Sequence, residues 1–349
     1  MNKIDFIENK ILNFDTLKKI YQISYKKNRH ANFGPISQKL EKYLIKLMKI
    51  PKNKTVIMCS SGTMAMQTIC NYFRQNNKNK FATSNLTFFS NNISFLNKAK
   101  ILDTNKEGLL DLSDAIKNRN SFDNLIFTNV FNIKPEYDAV YKFCNKYKKN
   151  LIIDNALTLF ERPKNFDKMR TFEIVSFHHT KPWGYGEGGA IICHKKHEKT
   201  MRNLINFGSN NFSKLKEFST NAKISDLSCA AIFLRIKNIR IWSKEYKFQC
   251  RRIKKIIEQN FNFNKILYNS NSTPIAYLPV IFKKKINKVR FNKTKYLSFR
   301  KYYIPLQKKK KINCYAKKIY DNILCIPTHS GLKNLSDKKI IADLKKLVN

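Results

Sequence analysis

Lys181 closes the step Ser176-Phe177-His178-His179-Thr180-Lys181 between two apolar runs, and Gly184, Gly186, Gly188 and Gly189 follow it at once. A lysine amine is a nucleophile only when it is partly desolvated or set near other cations, and one that forms an imine must then swing between two partners. The glycines are read as clearing space for that swing. Two upstream segments carry matching chemistry. LIIDNA (151–156) is a β-rich run that ends in Asp154, where a parallel strand delivers a carboxylate to the carboxyl edge of a sheet. VIMCSSGTMAMQTIC (56–70) reads as strand, Ser61-Gly62-Thr63, then helix, which leaves free N–H groups and a hydroxyl at a helix N-terminus suited to phosphate. Between them, Thr87-Phe88-Phe89-Ser90 offers an aromatic face beside small hydroxyls.

A phosphate cradle, an aromatic plate, a strand-end carboxylate and an imine lysine, in that order, are the parts needed to hold pyridoxal 5′-phosphate. That cofactor is an electron sink while its ring nitrogen stays protonated, which an aspartate enforces by charge pairing. Taken singly, each part has a plainer reading. Lys181 alone would be a solvated surface residue, Asp154 a helix cap, Ser61-Gly62-Thr63 an ordinary turn, and Phe88 one of 26 phenylalanines, most of which must pack a core. His178, His179, His194 and His197 suggest a metal, but only Cys193 joins them in that block, and no metal site is expected.

On these residues the chain resembles the DegT/DnrJ/EryC1/StrS aminotransferases, the nucleotide-sugar aminotransferases among the fold-type I pyridoxal-phosphate enzymes. The resemblance runs from Gly34-Pro35 and Leu40-Glu41 through the Ser61–Thr63 turn, Thr87-Phe88, Asp103, Asp154 and the SFHHTK…GEGG block. It continues through Arg202…Gly208, Asn221 in an N-x-[RK]-x-[ST]-[DE] setting and the AAIFLRIKNI helix to Ile326-Pro327-Thr328-His329. It implies Lys181 as imine lysine and proton shuttle, Asp154 on the ring nitrogen, Phe88 stacked on the ring, and Ser61, Gly62, Thr63 and Ser176 on the phosphate. It further implies that Asn221 reaches the phosphate of a neighbouring subunit, hence a homodimer with shared active sites. The reaction it implies moves an amino group from an amino-acid donor, glutamate by analogy, to a nucleotide-linked keto-sugar, for amino sugars of surface polysaccharide.

Departures from the family pattern are specific. Leu157 stands where Gln or His is usual near the cofactor's phenolic oxygen, Leu159-Phe160 replaces a common glycine, and Ser219-Thr220-Asn221-Ala222-Lys223 replaces G-x-N-x-R. The "GDEV" step before the third strand is missing. The related dehydratases carry histidine in place of the lysine, so Lys181 favours transamination. Two other classes stay open: a diverged pyridoxal-phosphate enzyme, a dehydratase or one acting on a non-sugar substrate, and a non-catalytic anion-binding protein on the same scaffold.

The elements that must position these groups follow from periodicity. Apolar residues recur at helical spacing over 37–50, 63–74, 135–148 and 224–256. Short apolar runs at 55–59, 81–83, 99–102, 124–128, 151–154, 173–177 and 189–193 alternate with them, which predicts a mainly parallel sheet covered by helices. The run 189–193 is the candidate for the antiparallel strand that the family carries. Strands near 275–282 and 323–326 and a helix at 336–348 predict a smaller α/β unit, with Pro274 and Pro279 bracketing its first strand. The expected fold class is α/β, the fold-type I, aspartate-aminotransferase-like architecture: a large doubly wound mixed-sheet domain over 1–238 and a small C-terminal α/β domain over 239–349. Roughly the first 20 residues are expected to pack on the small domain. A chain of 349 residues is long enough for both.

The 68 Lys and Arg against 24 Asp and Glu give a net charge of +44, which ordinarily points to nucleic acid. Here the cations are mostly lysine, spread evenly, beside abundant Asn, Ile and Phe, the residues of A+T-rich codons. Compositional drift is therefore the preferred reading, and no specific nucleic-acid partner is expected, although the charge can still steer an anionic substrate. The run Lys308–Lys311 reads as a solvated loop. Eight cysteines without framework spacing, no signal-peptide pattern and no long apolar stretch predict a cytoplasmic protein with no membrane span.

Overall fold

In the computed structural model, residues 3–132, 137–162, 170–209, 212–267, 273–307 and 314–348 are described; the run Lys308–Lys311 and residues 135–136 of the expected helix lie outside them. The chain runs α1 (Phe14–Lys26), α2 (Pro35–Leu47), β1 (Lys54–Cys59), α3 (Gly62–Arg74), β2 (Phe81–Ser84), β3 (Lys100–Leu102), α4 (Leu112–Lys117), β4 (Asn124–Thr128), α5 (Tyr137–Lys146), β5 (Asn150–Asp154) and β6 (Thr171–Ser176). It continues with β7 (Gly189–His194), α6 (Glu198–Leu204), α7 (Phe212–Leu215), α8 (Asp226–Lys237), α9 (Ile239–Asn260), β8 (Phe263–Ile266), β9 (Tyr277–Phe282), α10 (Tyr315–Asn322), β10 (Ile323–Pro327) and α11 (Asp337–Val348).

β1 to β7 form one sheet in the order β1-β7-β6-β5-β4-β2-β3. β7 is antiparallel to both neighbours, β1 and β6, while β6, β5, β4, β2 and β3 pair in parallel. The antiparallel assignment of 189–193 therefore holds. Because side chains alternate across a strand, the sheet builds two cores at once. Val56, Met58, Phe127, Ile153 and Ile192 pack with α2 and α8 on one face. Ile57, Cys59, Ile126, Ile152 and Ile191 pack with α3 and α6 on the other.

Several residues in the matched motifs prove to be scaffold. Asp226, fully buried, accepts hydrogen bonds from the backbone N–H of Ile36 and Ser37 (2.9 Å each) and from Ser24 Oγ (2.6 Å). It thus caps α2 from the far side of the chain, and a Cβ on Gly34 would sit 2.4 Å from its carboxylate, which is why Gly34 precedes that helix. Glu41 accepts from Met58 N–H (2.9 Å) and Arg202 Nη2 (2.8 Å), tying α2 to β1 and α6.

The C-terminal region departs from expectation in three places. The predicted helix 224–256 is two helices that break at Asn238. α8 is buried on nearly every side, whereas α9 buries only the stripe Trp242, Tyr246, Gln249, Cys250, Ile253, Ile256 and Ile257, so one straight axis cannot serve both. β8 forms an edge strand in the small antiparallel sheet β10-β9-β8; its partly exposed residues give no apolar run to read. Pro279 lies inside β9 rather than beside it. It is tolerated because its nitrogen side faces the end of β8, where Leu267 N–H donates to its carbonyl (2.9 Å) and no ladder donor is needed. Of the first 20 residues, Ile4 bridges Leu297 and the Asp5 carbonyl lies 2.9 Å from His329 Nε2, whereas Leu12, Leu17 and Ile20 pack instead on Ala231 and Leu234 of α8.

Candidate active site

The carboxyl ends of β1, β6, β5 and β4 gather along one edge of the sheet, and each delivers a group to a cavity of about 850 Å³. Ser61, Gly62, Thr63, Phe88, Asp154, Ser176 and Lys181 all line it, although they lie up to 120 residues apart in sequence.

At the end of β1, Ser61 caps α3, its Oγ accepting from Met64 N–H (3.1 Å). The N–H groups of Gly62 and Thr63 open the helix and have no helical carbonyl to bond, so they face the cavity edge as anion donors. Ser176, at the end of β6, closes the cradle: a Cβ on Gly62 would lie 3.1 Å from the Ser176 Cβ. Gly189 pairs with both Cys59 and Ser176, and a Cβ there would come within 2.2 Å of the Ser61 backbone. This corrects one sequence expectation. Gly184 and Gly189 are required by close backbone packing; only at Gly186, with φ +62°, is the space around the residue open.

Asp154 is buried at the end of β5, paired in register with Thr128 of β4. Its Oδ1 accepts from Ala156 N–H (3.1 Å) and its Oδ2 from Asn91 Nδ2 (3.2 Å). Burial pushes its carboxyl up, opposed by those donors and by the charge of Lys181. No ion pair with a described cation relieves it. Lys181 lines the cavity in the loop after β6. Burial lowers its amine to about 8, against the pull of Asp154 in the other direction. Behind the loop, Trp183 is fully buried and donates its indole N–H to the Ser176 carbonyl (2.8 Å), so the lysine is carried on a packed turn.

Phe88 presents a half-exposed ring to the cavity and meets Tyr303 edge-to-face at 6.1 Å. Leu157 also lines the cavity and offers only apolar surface there. The segment carrying it is held by the buried pair Arg162–Glu173 (3.0 Å) and by Asn155 Nδ2 donating to Glu173 (2.9 Å). Asn221 is the one expected site residue the structure keeps apart: it is exposed, bridged to Asn206, and does not line this cavity. His178 pairs with Glu187 at 3.1 Å, and among the described residues no cluster of His, Cys, Asp or Glu could hold a metal ion.

Sequence reading missed four further contributors. Lys10 and Glu8 arrive from the N-terminal segment, and Arg300 and Tyr303 from the stretch after β9. No local pattern marks them, because their partners are remote in sequence.

The cavity fits pyridoxal phosphate. A buried carboxylate with no ion-pair contact among the described residues, a helix N-terminus with free amides, and a lysine amine depressed into the reactive range are arranged around one space. Sheet order, strand ends and site together define the fold-type I pyridoxal-phosphate architecture. The chain belongs to the DegT/DnrJ/EryC1/StrS aminotransferase family, whose sequence profile matches residues 15–345. It is similar to the dTDP-4-amino-4,6-dideoxy-D-glucose transaminase of Shigella dysenteriae, 24% identical over 230 residues, 62% of this chain and 60% of the relative's length. A Bacillus cereus structure assigned as a PLP-dependent aminotransferase matches with a TM-score of 0.82 at 16% identity, covering 100% of both chains. Helicobacter pylori PseC, an aminotransferase involved in the biosynthesis of pseudoaminic acid, matches with a TM-score of 0.79 at 16% identity over 99% of both.

Proposed function

We propose that this protein is a pyridoxal-phosphate aminotransferase that moves an amino group from an amino-acid donor, glutamate, to a nucleotide-linked keto-sugar. The observation that carries the reading is Lys181, with its depressed amine, in one cavity with Asp154 and the α3 N-terminus. When bound, the cofactor supplies an electron sink for breaking the Cα–H bond of an amine. The protein's own groups do the rest. Gly62, Thr63, Ser61 and Ser176 bind the phosphate, Phe88 packs on the ring, and Asp154 keeps the proton on the ring nitrogen by charge pairing. Lys181 anchors the cofactor and moves the proton at the substrate Cα as base and then acid, a task that suits an amine titrating near about 8.

An anionic substrate is supported by Arg300, an exposed cation on the cavity lining, held by Tyr302 Oη (2.9 Å) and packed over the Phe6 ring (5.2 Å). The Shigella relative's dTDP-sugar substrate class supports the nucleotide sugar. We further infer a homodimer in which Asn221 serves the other subunit's site, which accounts for its position outside this cavity, and a cytoplasmic setting for amino-sugar supply to surface glycans. No helix among the described residues is long and apolar enough to cross a membrane. Leu157 supports one alternative, a diverged pyridoxal-phosphate enzyme with another substrate, since it leaves the cavity without a polar group at that point.

The test is absorbance of the protein with pyridoxal phosphate, for wild type and Lys181→Ala, before and after glutamate. A band that requires Lys181 and is lost on adding glutamate is expected. A band indifferent to amino donors would overturn the transaminase reading, and no band at all would overturn the cofactor reading.

A further inference from the structure

The N-terminal segment before α1 passes directly behind the Lys181 loop. Lys10 is buried, and its Nζ donates to the carbonyl oxygens of His179, Lys181 and Gly184, the last at 2.8 Å. Three carbonyls around one amine match the three N–H bonds of an ammonium group, so this geometry favours the charged form. Burial works the other way and brings the amine down to about 7, with Arg235 adding to that effect. Two residues earlier, Glu8 pairs with Arg235 Nη2 (2.5 Å) and accepts from Tyr246 Oη (3.1 Å) and Ser330 Oγ (2.9 Å). Arg235 in turn donates through Nε to the Pro182 carbonyl (2.9 Å).

The carbonyls of residues 179, 181, 182 and 184 are therefore all tied to the segment 8–10, directly or through Arg235. The same segment reaches α9 through Tyr246 and the turn after β10 through Ser330. Without these remote donors the loop would be shaped by the packed Trp183, bonded to the Ser176 carbonyl, and by short-range turn hydrogen bonds. Those turn bonds run His179 N–H to Gly186 (2.7 Å), Lys181 N–H to His178 (2.9 Å) and Gly184 N–H to Lys181 (3.0 Å).

We propose that Lys10 is a positioning residue: the N-terminal segment is a strap whose ammonium group fixes the backbone of the Lys181 loop, and so sets where the reacting amine sits. The proposal rests on the reading of Lys181 as the cofactor lysine, but its first test needs no cofactor. Hydrogen–deuterium exchange is followed by peptide in the whole protein, for wild type, Lys10→Met and Lys10→Arg. Met fills the same space and cannot donate; Arg restores donors to carbonyls. In Lys10→Met, exchange of the amides of 179–185 is expected to quicken about tenfold or more, while β6 and β7 keep wild-type protection. Lys10→Arg is expected to recover most of the protection. In the loaded enzyme, Lys10→Met is expected to lower kcat about 10- to 100-fold with a small change in KM for the donor, the signature of a displaced reacting group.

Unchanged loop exchange in Lys10→Met would overturn the proposal. So would uniform loss of protection across β1 to β7, or an unfolded protein, since either would make Lys10 a general packing residue. If the wild-type protein failed to form a Lys181-dependent absorbance band, the functional reading would fall while the exchange result still decided the strap.

Discussion

Capture of pyridoxal phosphate by Lys181 should show a pH dependence that the structure sets. An ordinary lysine titrates near 10.5, whereas burial brings this amine to about 8. Only the neutral amine attacks an aldehyde. At pH 7 about 9% of an amine titrating at 8 is neutral, against about 0.03% for one at 10.5, so capture should be roughly 300-fold faster than by a surface lysine of equal access. The assay is stopped-flow absorbance of the cofactor-free protein mixed with pyridoxal phosphate, from about pH 6 to about pH 10. The rate should rise with a midpoint near about 8. Asp154 acts against the depression by stabilising the protonated amine, so Asp154→Asn should move the midpoint lower while weakening retention of the bound cofactor. A midpoint near that of free lysine, or an upward shift in Asp154→Asn, would refute the electrostatic account of the site.

Three other outcomes follow. Asp226→Ala removes the acceptor of two backbone N–H groups and a hydroxyl at the start of α2, and should cost about 3 kcal/mol, lowering Tm by about 4 °C in calorimetry. Gly189→Ala places a Cβ against the Ser61 backbone and should weaken cofactor affinity at least about tenfold in a fluorescence titration, because the Ser61–Thr63 turn, proposed to hold the phosphate, must move. Arg300→Gln should raise the Kd of a nucleoside diphosphate sugar by about 10-fold and flatten its dependence on salt in calorimetric titration, while Lys181-dependent cofactor capture stays at the wild-type rate.

How far the site could be read from the chain depended on how local each signal was. β1, β4, β5, β6 and β7 show as short apolar runs because both faces of the sheet are covered, and the groups that follow or end β1, β5 and β6, namely Ser61, Asp154 and Ser176, fall where such strands must deliver them. Helix α1 escaped notice although Leu17, Ile20 and Tyr21 fall at helical spacing on the face that packs on the core. Asp226 and Glu41 stood out as motif letters, but their work as a remote helix cap and a strand tie appears only when distant segments meet. Lys10 gave no sign at all: its partners lie 169 to 174 residues away, and FIENKILNF carries no pattern beyond mild amphipathicity. Leu157 was legible as a departure, and its position on the cavity wall makes it a place where the polar lining is interrupted.

The reversal of β7 has a consequence for how the site comes into being during folding. Because β6 and β7 pair antiparallel with Ser176 opposite Gly189, the lysine loop is the tip of a hairpin closed by residues near in sequence. Closing such a loop costs little chain entropy and is fast compared with the long crossovers between parallel strands. Ser176 and Lys181, the hydroxyl and amine proposed for the site, are therefore brought near each other by local pairing, whereas Asp154 and the Ser61 turn join only through the parallel neighbours and β1 on either side. The hairpin alone does not complete the lysine's position, because Lys10 and Arg235 reach its tip from remote parts of the chain.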